Sequence, residues 1–180
     1  MKKADAPSPA YAHRWFTSRD GLSLYARDYP GADGPARLPV VCIHGLTRNS
    51  ADFDHIAARI AATGRRVIAV DVRGRGRSER ARDPMTYQPQ IYARDVVDMF
   101  EQMGLKEAVF LGTSMGGLIT MAVTFFKSRL VAAAVLNDIG PEVSKVGLTR
   151  IAQFAGKPVD TPTWADAVAY VKGINAVALP

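Results

Sequence analysis

In the run Val109-Phe-Leu-Gly112-Thr-Ser114-Met-Gly116-Gly117 a single hydroxyl stands where an apolar, strand-like segment changes into a helix-like one. Two uses for such a serine follow from its type. It caps the helix, serine being a favoured N-cap, or it is held as a nucleophile for acyl transfer. Gly112 and Gly116 favour the second use. Small residues two before and two after the serine let strand and helix approach without Cβ clashes, and the serine then takes a strained backbone conformation. Its hydroxyl would stand above the sheet at the start of a helix, where backbone N–H groups and the helix dipole favour a developing oxyanion. A serine hydroxyl also needs a base, usually a histidine oriented by a carboxylate. The sequence holds three histidines, His13, His44 and His55, all before Ser114.

The elements that must position this serine are legible from hydrophobic period and turn residues. WFTS and LSLYARDY flank Arg19-Asp20-Gly21 and read as two strands joined by a tight turn. LPVVCIHG is a short apolar, β-branched strand, and residues 50–63 carry Phe53, Ile56, Ala57, Ile60 and Ala61 at helical spacing before Gly64. RVIAVDV is a second buried strand, followed by the loop RGRGRSERAR. A helix is predicted over 89–103, then strand EAVFLG, helix MGGLITMAVTFFKS and strand LVAAAVLN. This alternation spells a three-layer α/β fold with a mostly parallel sheet and right-handed crossovers. Beyond Gly140-Pro141 the pattern changes to weak helices near 143–154 and 163–171. The expected organisation is a disordered tail over 1–10, an α/β core over 11–141 and the start of a helical lid or cap over 142–180.

With these elements in place, the sequence resembles the α/β-hydrolase fold superfamily. The resemblance rests on His44-Gly45-Leu46 after a strand, on Asp71-Val-Arg73-Gly74-Arg-Gly76-Arg-Ser78 after the next, and on Gly112-Thr-Ser114-Met-Gly116. It implies Ser114 as nucleophile and the backbone N–H groups of Leu46 and Met115 as the oxyanion hole. It also implies that His44, Gly45, Asp71, Gly112 and Gly116 shape the surrounding loops. Members with an aspartate or cysteine nucleophile do other chemistry, so serine implies hydrolysis of an ester, thioester, lactone or carbon–carbon bond in a small molecule. The family order is Ser, then Asp or Glu, then His, and no histidine follows Ser114 here. Asp138, directly after the last strand, has two readings, as the triad carboxylate or as the residue that starts the turn or caps the next helix. His44 is expected to shape the oxyanion loop, with service as the base the lesser alternative, and His13 and His55 are expected to have no site role. The last strand would be an apolar edge without a charge, and the sheet is read as incomplete at that C-terminal edge, completed by a missing segment or another chain. A catalytically silent small-molecule-binding protein, or a subunit completed by another chain, is the competing reading.

Composition narrows the partners. The chain has 180 residues, 48% of them apolar, and a formal charge of +6 drawn largely from the arginine loop. Arginine-rich loops can neutralise phosphates, but no aromatic residue interleaves these, so no nucleic-acid partner is expected. Asp71 and Arg73 could in principle hold a nucleotide ribose, yet the preceding strand runs into HGLTRNS and not into a G-x-G-x-x-G turn. The histidines and the lone Cys42 lack metal-ligand spacing, so neither cofactor nor metal is expected. No run approaches a membrane span or a signal-peptide core, and one cysteine with apolar flanks suits a reducing compartment. A cytoplasmic location without membrane contact is the expectation.

Overall fold

The computed structural model describes residues 11–153 and 155–174, so the tail expected over 1–10 lies outside the described residues. The chain divides after Pro141 into two compact units.

The first unit is built on a six-stranded sheet in the order β1-β2-β4-β3-β5-β6. β1 (Ala12–Thr17) and β2 (Ser23–Tyr29) form the antiparallel hairpin expected around Arg19-Asp20-Gly21. β2 lies antiparallel to β4 (Val67–Asp71), and β4, β3 (Val40–Ile43), β5 (Ala108–Thr113) and β6 (Val131–Asn137) run parallel. Three crossover helices connect these strands, α1 (Asp54–Ala61), α2 (Pro89–Gln102) and α3 (Met115–Lys127). The first crossover steps from β3 to β4 and the second steps back over β3 to β5. Right-handed connections in opposite directions put α1 on one face and α2 with α3 on the other.

Side-chain alternation along the strands supplies both cores. Val41, Ile43, Ile68, Val70 and Phe110 pack with residues of α2 and α3 that include Phe100 and Ile119. Val40, Cys42, Val67 and Ala69 pack with Phe53, Ala57 and Ala61 on the opposite face. The helix expected over 50–63 begins as a 3-10 turn (Ser50–Phe53) before α1. Phe53, Ala57 and Ala61 are buried and Ile60 packs beside them, whereas Ile56, expected inward, lies at the margin of that stripe and is exposed. Among the described residues β6 is the last strand of the sheet, with Val135 54% exposed.

The arginine loop turns part of its charge inward. Arg73 is 1% exposed, and its guanidinium donates to Asp95 on α2 (Nε to Oδ2, 2.7 Å) and to Asp20 in the hairpin turn (Nη1 to Oδ2, 2.8 Å). One buried cation thus ties β4 to the hairpin and to α2. The Arg73 hydrogen bond is the main reason that the Asp20 carboxyl is held down to about 2. Burial pushes Asp95 upward, and Arg73 opposes it.

The second unit contains α4 (Lys145–Ala152), capped by the Ser144 hydroxyl, and α5 (Trp164–Ile174). Among the described residues no helix is long and apolar enough to cross a membrane.

Arg73→Met should leave the two carboxylates unpaired and cost about 3–5 kcal/mol, read by urea unfolding at pH 7. Asp20 contributes stability that is complete above its unfolded value of 3.8 and is lost as pH falls toward about 2. Asp20→Asn should therefore flatten the acid limb of a stability–pH profile.

Candidate active site

The second crossover reverses direction over β3, so the connections leaving β3 and β5 pass to opposite faces of the sheet, the arrangement that in open α/β sheets leaves a crevice at the carboxyl ends of the two strands. Ligands in open α/β sheets bind at such a switch point. The loop after β3 carries His44-Gly45-Leu46, and the corner after β5 carries Ser114.

Ser114 has φ 51° and ψ −114° and makes no side-chain cap to α3. This positive φ is uncommon for a residue with a Cβ and signals strain. Its backbone is fully used: the N–H donates to the Asn137 carbonyl of β6 at 2.9 Å, and its carbonyl accepts from Gly117 at 2.9 Å. Its hydroxyl has no hydrogen-bond partner among the described residues, and the residue is only half-buried. The capping use of this serine is therefore not made.

The flanking glycines are needed for close approach. A Cβ at Gly112 would come within 2.5 Å of the Gly116 carbonyl oxygen, and one at Gly116 would fall on the Ile43 carbonyl oxygen at the end of β3. The first turn of α3 therefore rests directly on two strand ends. Beside it, a Cβ on Gly45 would sit 3.7 Å from the Ser114 Cβ, which puts the loop after β3 against the serine. The amides of Leu46 and Met115 have no acceptor among the described residues.

His44 is 1% exposed, and both of its ring nitrogens are engaged. Nε2 accepts from the Val72 N–H at 3.1 Å, so the proton belongs on Nδ1, which donates to the Gly45 carbonyl at 2.7 Å. Burial first, and Arg75 among the smaller causes, holds the imidazole below its ordinary value. It is therefore neutral at pH 7. The Gly45 carbonyl and the Leu46 N–H share one peptide plane, and holding the carbonyl sets the direction of the N–H.

Asp71 is a fastening residue. One carboxylate oxygen accepts from the Ser50 N–H at 2.7 Å and the other from the Arg77 N–H at 2.8 Å. Gly76 (φ 53°) passes so near that a Cβ would overlap the carboxylate. The Ser78 hydroxyl closes the loop on the Asp71 carbonyl at 2.6 Å. The Ser50 contact, which joins the chain after β3 to β4, had no signal in the sequence; the loop-fastening role did.

Asp138 stands one residue beyond the Asn137–Thr113 pairing, at the strand end next to that of Ser114. It is exposed, has φ 57°, and its carboxylate has no partner among the described residues. The following Ile139 packs on Gly117. His13 lies in the outermost strand, bonded to Tyr25, and His55 is exposed on α1. The structure thus places Gly45 against Ser114, with Leu46 and Met115 the next residues along the chain and Asp138 on the adjoining strand end, and leaves His13 and His55 elsewhere.

The sequence model of the alpha/beta hydrolase fold family matches residues 39–172. The chain is 37% identical over 137 residues to a 3-hydroxybutyrate-oligomer hydrolase of Cupriavidus necator, covering 76% of this chain and 46% of that protein. It is 35% identical over 134 residues to an sn-1-specific diacylglycerol lipase of Mus musculus, covering 72% and 42%. A crystal structure of an alpha/beta hydrolase from Novosphingobium aromaticivorans superposes with a TM-score of 0.84 at 43% identity, over 93% of this chain and 57% of that one. The chain therefore spans less than half the length of these two curated relatives.

Ser114→Gly should stabilise the fold, by about 1 kcal/mol, because it releases the strain of a positive φ. At an ordinary N-cap the same change costs a few tenths of a kcal/mol. Equilibrium unfolding in urea reads the sign.

Proposed function

The chain belongs to the alpha/beta hydrolase fold family, and from that premise we propose that it is a serine-nucleophile hydrolase of small-molecule carboxylic esters. One observation carries the reading: a strained, half-buried serine whose hydroxyl has no partner among the described residues, with Gly45 of the loop after β3 against it. In this reading Ser114 Oγ attacks the substrate carbonyl and the amides of Leu46 and Met115 receive the oxyanion. His44, Gly45, Asp71, Gly112 and Gly116 hold that geometry. Asp138, on the neighbouring strand end, is the candidate orienting carboxylate. Esters are preferred over thioesters, lactones and carbon–carbon bonds because two relatives are named for a 3-hydroxybutyrate oligomer and a diacylglycerol, both carboxylic esters. The helices over 142–180 are read as part of a helical lid or cap. The lone buried Cys42, its thiol pushed up to about 12 by burial, fits a cytoplasmic setting.

None of the three histidines of this sequence is placed to serve as the base, because His44 has both ring nitrogens engaged and His13 and His55 stand elsewhere. The lack of an available imidazole also favours a second reading, a catalytically silent small-molecule-binding protein with the same crevice.

A fluorophosphonate separates the two. Phosphonylation forms an Oγ–P bond at Ser114, expels fluoride and releases the hydroxyl proton to a base. Labelling mapped to Ser114 should be slow in the 180-residue chain, rise by about tenfold or more with added imidazole, and vanish in Ser114→Ala. Fast labelling without imidazole would contradict the absent base; no labelling with it would favour the silent protein.

A further inference from the structure

Arg75 lies in the glycine-rich loop after β4, half-buried, and no carboxylate lies within ion-pair range of it among the described residues. Arg73, two positions earlier, meets two aspartates. The Arg75 contacts are to backbone and aromatic rings. Nε–H donates to the Leu46 carbonyl at 3.2 Å, and Nη1–H donates to the Arg73 carbonyl at 2.9 Å and to the Tyr92 hydroxyl at 3.3 Å. The guanidinium carbon is 5.5 Å from the Tyr87 ring centroid and 5.6 Å from that of Tyr92, within cation–π range. Tyr87 is itself anchored through its hydroxyl to the Ala81 carbonyl at 3.2 Å.

These contacts join the loop after β3 to the loop after β4 at Leu46, the residue that follows Gly45, whose backbone lies against Ser114. His44 holds the peptide between Gly45 and Leu46 through the Gly45 carbonyl. Arg75 holds the next peptide through the Leu46 carbonyl. With both neighbouring planes fixed, the Leu46 N–H has one direction before any anion arrives, and preorganisation of this kind is what an oxyanion donor requires. A planar guanidinium can stack on an aromatic ring while it donates to two carbonyls; an ammonium has one nitrogen and cannot reproduce that fork.

We propose that Arg75 is a positioning residue that locks the Leu46 amide for anion stabilisation, and that its unneutralised charge adds to the positive potential there. The catalytic consequence rests on the serine-hydrolase reading; the effect on the Leu46 amide does not.

Arg75→Lys and Arg75→Ala are compared with the parent chain in three measurements: imidazole-assisted phosphonylation of Ser114, the unfolding midpoint, and the ¹⁵N-relaxation order parameter of the Leu46 amide. In both variants labelling should fall by about tenfold or more, the scale of a misplaced catalytic geometry. The Leu46 order parameter should drop from about 0.85 toward about 0.6 while that of Met115 stays put. The Lys variant should unfold near the parent midpoint. Unchanged labelling in a parent that labels would overturn the catalytic role and leave the serine reading intact. An unchanged Leu46 order parameter, or one that falls only together with every surrounding loop amide, would overturn the positioning role. If the parent does not label, the serine reading fails and the Leu46 order parameter alone decides whether Arg75 positions that amide.

Discussion

The geometry of the crevice depends on how closely the first turn of α3 can approach the end of β3. Gly116 lies so near the Ile43 carbonyl that no side chain fits, and Gly112 lies equally near the Gly116 carbonyl. Because both positions lack a Cβ, the helix begins directly above two central strands, and the chain between must turn within one residue. That residue is Ser114, and its positive φ is the local cost of the contact. Moving the helix outward by the width of a methyl group would relax the serine and also withdraw it from Gly45 and Leu46.

The polar end of the sheet is organised around the same corner. Three buried polar groups stand at or just beyond the carboxyl ends of β3 and β4, and each is matched to fixed partners. The neutral His44 imidazole joins the Val72 amide to the Gly45 carbonyl, Asp71 collects amides from two loops, and Arg73 balances two aspartates. Buried polar groups are tolerable only when so satisfied. Below them the strands are apolar on both faces, packed on α1 or on α2 and α3. A rigid apolar layer thus carries a hydrogen-bonded rim, and the rim sets the positions of the amides.

Much of this was legible in the sequence. The runs VVCI, VIAV and AVFL could only be interior strands, and Gly112, Ser114 and Gly116 announced the corner before any coordinates. What the sequence concealed was the pairing of residues distant along it. Arg73 looked like one charge in a basic run, yet its partners lie at Asp20 and Asp95, and no local pattern links them. Ile56 fits the helical period but is exposed, because it falls at the margin of the stripe that Phe53, Ala57, Ile60 and Ala61 turn inward. Asp138 kept both of its readings: its place follows from strand order, but its exposed carboxylate has no partner among the described residues to mark a role.

In the proposed mechanism the Ser114 oxygen attacks the carbonyl carbon while the amides of Leu46 and Met115 converge on the carbonyl oxygen, which becomes negative during acyl transfer. A crystal structure of the chain phosphonylated at Ser114 tests it most directly. The phosphoryl oxygen is expected within about 2.7–3.1 Å of both amide nitrogens. A phosphoryl oxygen turned to solvent, with neither amide in range, would contradict it.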